Sequence, residues 1–314
     1  MRFSKRFLMC AAVVTVASAT LAAQAPGGVQ GRPAQGGGQA RPEARPDPHR
    51  LDMFMCDWRE SMPRHSHGGL IERDILTKGD PQTSTKRCAV LAHTNNVSYA
   101  TLAPRAGIPP MKLQGQQEIF YVVGGKGTVT SAGETHDLYD GVGILAPPGV
   151  EFSLKNTGDT DLTMYIINEI PPADFKAGTK VLVRDENVQP VRGTTGHWVH
   201  IVKNIFTPAD GLATLRQTIT VALDPMTIGE PHAHTVGSEE VWIQIKGKSL
   251  AFIGTQLRWQ TPGVGYLAPP FAEMTQANIT NGLSFPHSNI NPGTEQVKFL
   301  YFQTARRPGQ ATAQ

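Results

Sequence analysis

The sequence predicts an all-β protein built from two small antiparallel β-barrels in tandem, and three observations carry that prediction. From Val97 onward the chain breaks into short runs rich in Val, Ile, Tyr, Phe and Thr, separated by Gly, Pro and Asn-Thr-Gly-Asp turn signals. The same succession of signals then occurs a second time. Finally, 314 residues with a hydrophobic fraction of 39% are enough for two domains with cores of ordinary size.

In chain order, the first segment, MRFSKRFLMCAAVVTVASATLAAQA, combines a basic start (Arg2, Lys5, Arg6), an apolar run and small residues at Ala22 to Ala25. This is the layout of a secretory signal peptide over residues 1–25, which places the mature protein in the periplasm or outside the cell. Ser18, Thr20 and Gln24 dilute the run, and no later stretch is apolar enough to span a bilayer, so the mature chain is expected to have no membrane span. Residues 26–50 are dominated by Gly and Pro with almost no large apolar side chains and read as a disordered tether. Residues 51–95 form an arm with aromatic and aliphatic anchors but no sustained period, expected to pack along a barrel. The first barrel follows over 96–190 and the second over 191–305, with a short disordered tail at 306–314.

Within the first barrel EIFYVV, TVTSA, GVGILAPP, EFSLKN and LTMYIINEI read as successive strands. The repeat aligns LAPRAGIPP, EIFYVVGGKGTV and DGVGILAPPG with LDPMTIGEPHAH, EVWIQIKGKSLAF and PGVGYLAPPF, and FSLKNTGDTDLTMYII with HSNINPGTEQVKFLYF. Closing each sheet on itself removes the exposed edges that such short strands would otherwise present.

Charge excludes one class of partner. The chain has 29 basic and 26 acidic residues, and removal of the leader takes away Arg2, Lys5 and Arg6 only, leaving the mature protein near neutrality. No Lys/Arg cluster stands out after residue 50, so a nucleic-acid partner is not expected. No phosphate-binding Gly-rich loop and no Gly-x-Ser-x-Gly elbow appears. Cys56 and Cys88 would share an oxidising compartment after export, which leaves open a disulfide or two isolated thiols.

The chemistry concentrates in the second copy. It carries His232-Ala-His234, then Glu240, six residues and Gly247, and later Gly263, five residues, Pro269 and His287-Ser-Asn-Ile-Asn291. On a strand, His-x-His sends both imidazoles to one face, and in a barrel that face is the interior. A carboxylate opening the next strand and a third His from a later one would complete three nitrogens and one oxygen around a divalent cation. Ser288 and Asn291 are candidates for holding that strand or supporting the ligands.

These two motifs resemble those of the cupin superfamily, and the duplicated unit resembles its two-barrel members, such as oxalate decarboxylases and quercetin dioxygenases. The resemblance implies two cupin-type, double-stranded β-helix barrels and one divalent transition metal (Mn, Fe, Ni, Zn or Cu) held by His232, His234, Glu240 and His287. It also implies a small organic molecule as substrate or ligand, and a homo-oligomer with a dimer as the default. Oxygen-dependent oxidation is the first expectation for such a metalloenzyme. Lyase or isomerase chemistry, or non-catalytic binding of a sugar or organic acid, remain as alternatives. This sequence departs from the pattern twice. The spacing from His234 to Glu240 is one residue longer than usual, so Glu239 competes with Glu240, and an insertion within FAEMTQANITNGLSF separates Pro269 from His287, where it is expected to form a loop over the site.

In the first copy the matching positions are Met111, Leu113 and Phe152, with only Glu118 kept, so a packed apolar interior is expected there. Three other candidates are weighed. His65 and His67 form a second His-x-His in the arm, followed by Gly68-Gly69, which suggests a polar loop rather than ligands. His197 and His200, in GHWVHIV, look like core or edge residues of the strand that opens the second barrel. Gln244 is the polar side chain expected on the inward face beyond Glu240.

Overall fold

Strand Gln117–Gly124 shows how the two halves are built: Phe120 and Val122 belong to one apolar cluster, while Ile119 and Tyr121 belong to another. Successive side chains point to opposite faces of a strand, so here both faces are buried. In the computed structural model, which describes residues 48–192 and 197–304, the same division recurs on three more strands. Met164 and Ile166 face one way and Tyr165 and Ile167 the other on Leu162–Glu169; Trp242 separates from Val241 and Ile243 on Glu240–Lys246; Phe299 and Tyr301 separate from Leu300 and Phe302 on Val297–Thr304.

The architecture follows from that pattern. The first half has a large sheet with strand order Leu182–Asp185, Val142–Ala146, Gln117–Gly124, Leu162–Glu169, Thr94–Leu102, Leu70–Lys78 and Arg64–Ser66. A four-stranded sheet (Gly107–Lys112, Glu151–Asn156, Gly127–Ser131, Glu134–Leu138) shares one apolar cluster with it. The second half has the order Met55–Asp57, Val264–Leu267, Glu240–Lys246, Val297–Thr304, Leu215–Leu223, Ile201–Phe206, accompanied by a small sheet of Thr227–Ile228, His287–Asn291, Ser249–Ile253 and Gln256–Gln260. The remaining cluster, with Ile119, Tyr165, Ile205, Phe206, Val241 and Phe302, joins the backs of the two large sheets.

Details of the repeat have physical causes. The second glycine of each GVG triplet lies where the other half packs. A Cβ on Gly143 would sit 2.5 Å from Ile205 Cγ2, and one on Gly265 would sit 2.9 Å from Ile75 Cγ2. A side chain at either place would force the sheets apart. Asn156 and Asn291 make matching bonds: each donates from Nδ2 to three backbone carbonyl oxygens (Leu102, Ala103 and Thr160; Leu223, Asp224 and Glu295) and accepts the N–H of a glycine two residues on. Asn291 is thus a turn lock and not a support for the ligands.

The arm departs from expectation. It is largely strand: Met55–Asp57 pairs with Val264–Tyr266 of the second half, whereas Arg64–Ser66 and the nine-residue Leu70–Lys78 join the first-half sheet. Its missing period reflects strands that change partner every few residues. Cys56 and Cys88 are joined in a disulfide. No helix among the described residues is long and apolar enough to cross a membrane. The leader at 1–25, most of the tether at 26–50 and the tail at 306–314 lie outside the described residues.

Candidate metal centre

The backbone brings four predicted residues together. His232 bridges His287 through a reciprocal pair of backbone hydrogen bonds, with N···O distances of 3.2 and 2.8 Å. His234–Thr235 pairs in parallel with Pro270–Phe271, and Glu240 and His287 each open a strand. One ligand atom from each of His232, His234, Glu240 and His287 lies within 4.8 Å of all the others. His234 Nε2 is 3.1 Å from Glu240 Oε2 and 3.2 Å from His287 Nε2, and His287 Nε2 and His232 Nε2 stand 3.3 and 3.8 Å from Glu240 Oε1. Donors bound to a common ion at ~2.1 Å stand about 3.0 Å apart when adjacent, so these separations suit one cation.

The far side of two rings fixes which nitrogen is bare. His232 Nδ1 lies 3.0 Å from the carbonyl oxygen of Glu230, which can only accept, so Nδ1 carries the proton and Nε2 a lone pair. Tyr266 Oη donates to Asn289 Oδ1 at 3.4 Å, leaving its own lone pair to accept from His287 Nδ1 at 3.2 Å. Both Nε2 atoms therefore face the cluster unprotonated, the arrangement metal-binding histidines use. Burial acts in the same direction: it lowers the pKa of His232, and it pulls fully enclosed His287 down to about 4. Burial alone would raise the pKa of Glu240, but the attraction of His234 and the hydrogen bond with it outweigh that effect and hold the carboxyl well below its usual value. Trp242 Nε1 (2.9 Å) and Tyr301 Oη (2.8 Å) each donate to one of its oxygens and hold it in place.

Glu239 does not join the cluster. On the opposite face of the strand, it accepts the backbone N–H groups of His93 (2.8 Å) and Thr94 (3.0 Å) and so fastens the second half to the first. Glu169 does the reciprocal work, accepting from Thr214 (2.6 Å) and Leu215 (2.9 Å). Gln244, at the same strand parity as Glu240, is engaged by Ser249 Oγ at 2.6 Å and the Lys246 carbonyl oxygen at 2.7 Å. Ser288 donates to the Gly229 carbonyl oxygen at 2.7 Å, anchoring the segment that leads into His232.

Histidines read from the sequence as ordinary strand residues prove to adjoin the cluster. The strand begins only at Ile201, and His197 lies in the preceding turn, its ring stacked 4.5 Å from that of His232 and its Nδ1 3.6 Å from Glu230 Oε2. His200 is buried against Trp242, and burial lowers its pKa to about 3. Gly229 leaves room for it, since a Cβ there would fall 2.3 Å from His200 Nε2. Only the approach of two distant turns reveals these roles. The insertion after Pro269 starts beside the backbone of His234, forms the short helix Gln276–Thr280, and is pinned by Phe271 and Phe285, whose ring centroids are 5.0 Å apart.

In the first half, Leu113 and Phe152 are buried in the core with Met111 packed against it, as expected of an apolar interior. The arm adds a polar cluster at its edge. His67 Nε2 lies 2.7 Å from Glu118 Oε2, and its Nδ1 lies 3.1 Å from Glu72 Oε1. Burial would lower the pKa of His67, but the two carboxylates overcome it and raise the value to about 9. Burial likewise opposes ionisation of Glu72, and its bonds to His67 and Ser66 together with the Arg64 charge bring it to about 2. His65 is exposed on the strand and takes no part.

Comparison with known proteins agrees with this fold. Residues 98–168 match the family described as Cupin domain, a segment of the first half. Curated proteins give no match. Similar solved structures include a putative glyoxylate-induced protein from Pseudomonas aeruginosa, with 15% identity, 80% of this chain and 87% of that chain covered, and a TM-score of 0.60. AerE from Microcystis aeruginosa is 12% identical over 81% of this chain and 100% of its own, with a TM-score of 0.56. Oxalate decarboxylase from Bacillus subtilis is 12% identical over 79% of this chain and 76% of its own, also at 0.56; another structure of that enzyme, concerned with its Mn(II) centres, scores 0.55 at 13% identity over the same shares of the two chains. Residues 98–168 thus resemble a cupin domain, and the fold of the chain is that of these solved structures.

Proposed function

We propose that this is an exported two-barrel cupin whose second barrel holds one divalent transition metal (Mn, Fe, Ni, Zn or Cu) through His232, His234, Glu240 and His287, and that it oxidises a small organic molecule there. The observation that carries the reading is the convergence of two bare Nε2 atoms, their far nitrogens already engaged, on an ionised and buried carboxylate. Such a donor set suits a borderline divalent ion, and the Mn(II) centres of the structurally similar oxalate decarboxylase point the same way. The metal would supply Lewis-acid or redox chemistry at its open positions.

The chain's own contribution is positioning and proton handling. Trp242 and Tyr301 hold Glu240 so that it can serve as a ligand and not as a base. His197 and Glu230, 3.6 Å apart beside His232, are the titratable pair at the rim, placed to orient a substrate or carry its proton. Elemental analysis of protein from its native compartment, joined to oxygen-electrode assays on small hydroxy acids, oxo acids and catechols, tests the reading. A redox-capable metal with substrate-dependent oxygen uptake supports it. Zinc alone with no oxygen consumption overturns the oxidation; turnover without oxygen assigns a lyase or isomerase, and saturable binding without turnover assigns a binding protein. Export and a homodimer belong to the same proposal, checked by N-terminal sequencing of the exported chain and by light scattering.

A further inference from the structure

A cavity lies in the first half, against the His67 cluster, and shares no residue with the metal centre. Its volume of about 230 Å³ is roughly that of seven or eight liquid waters. All of its lining except Ile166 is polar.

The charges of the wall are already matched. Within the lining, Arg64 pairs with Glu72 and His67 lies between Glu72 and Glu118, two cations against two carboxylates. An anionic or cationic ligand would disturb that balance at a cost in desolvation. Hydrogen-bonding capacity is left over instead, including a buried acceptor. Asn168 and Gln116 each direct their amide nitrogen to Glu118 Oε1 at 3.0 Å. The Oδ1 of Asn168, a residue only 6% exposed, then has no partner among the described residues. An orphaned buried acceptor costs about 1–3 kcal/mol, and buried polar atoms without a partner are uncommon enough to require an explanation. A ligand with several O–H donors and no charge supplies what is missing, and Ile166 offers an apolar contact for its C–H face.

We propose that this cavity is a binding site for a small neutral polyhydroxylated molecule, a monosaccharide or cyclic polyol, independent of the metal centre. The arm builds the site, since Arg64, Ser66 and His67 form one side of it. The test is calorimetric titration of the full mature chain with myo-inositol, glucose and xylose, and with glycolate as a small charged control. Saturable binding of at least one polyol at millimolar or lower concentration is expected, with none for glycolate. The affinity should be unchanged in the His232→Ala/His234→Ala double variant, and about 10-fold weaker or worse in Asn168→Leu and, separately, in Gln116→Leu, a partly exposed residue whose replacement spares the core. Absence of saturation by all three polyols up to about 50 mM, equal affinity in both leucine variants, or binding that vanishes with the two histidines would overturn the proposal. The last outcome would put the polyol at the metal centre.

Discussion

Glu118 and Glu240 occupy matching places in the repeat, and both are 2% exposed, yet the two halves answer the same buried charge in different ways. Around Glu240 the second half gathers three of its own imidazoles, two of them with lowered pKa and bare inward nitrogens that lack a positive charge until an ion arrives. Around Glu118 the first half has apolar Met111, Leu113 and Phe152, and the cation comes from outside the barrel: the His67 imidazolium, delivered by the arm. A buried carboxylate has to be paired, and a duplicated fold can meet that demand with a metal site or with a protonated side chain. The second solution leaves no lone pair for a metal, because both ring nitrogens of His67 face oxygens.

Removing ligands from one half only separates the two solutions most strongly. His232→Ala/His234→Ala should abolish metal content, read by elemental analysis, while Met111→Ala should leave it intact; metal retained in the double variant would separate the cluster from the ion. Next in size, His67→Ala leaves buried Glu118 without its cation, a loss of roughly 3–5 kcal/mol for breaking a buried pair, and should lower the unfolding temperature by on the order of 10 °C with metal content unchanged. An unaltered melting curve would deny the cluster its structural weight. Tyr266→Phe removes the acceptor of His287 Nδ1 and should weaken metal binding about 10- to 100-fold, measured by competition with a chelator.

Titration sets the two halves in opposite directions. Because burial holds His287 neutral down to about 4, acid should strip the metal only well below the ordinary imidazole value of 6.5. His67 runs the other way: its pKa is raised in the folded state from 6.5 to about 9, so the stabilisation is complete below 6.5 and is lost as pH rises through 9. Glu72, lowered from 4.5 to about 2, gives stabilisation that is complete above 4.5 and is lost as pH falls through 2. The difference in unfolding temperature between wild type and His67→Gln should therefore be largest near pH 5 to 6 and shrink above pH 9, whereas metal occupancy should rise with pH over the acid range. A difference that does not vary with pH would contradict the charged state of His67.

Period-two patterning, the repeated GVG and Asn-x-Gly signals and the spacing of His232, His234, Glu240 and His287 were all legible along the chain. Each depends on residues close in sequence or on the fixed alternation of a strand. Glu239 could not be separated from Glu240 by counting, because the choice turns on which of two neighbouring side chains faces inward and which faces the other half. The arm shows no sustained period along the chain, and its strands become visible only beside the edges they complete.

What the sequence determined by itself was the β architecture, its duplication and the residue types able to hold a cation, since alternation and turn chemistry are local properties of the chain. Tertiary structure alone decided what stands next to what. His197 reached His232 and His67 reached Glu118 across 35 and 51 positions respectively, Glu239 was assigned to the seam between the halves, and Cys56 met Cys88. Contacts of that range are set by how sheets pack and where turns return, for which a stretch of sequence carries no local signal.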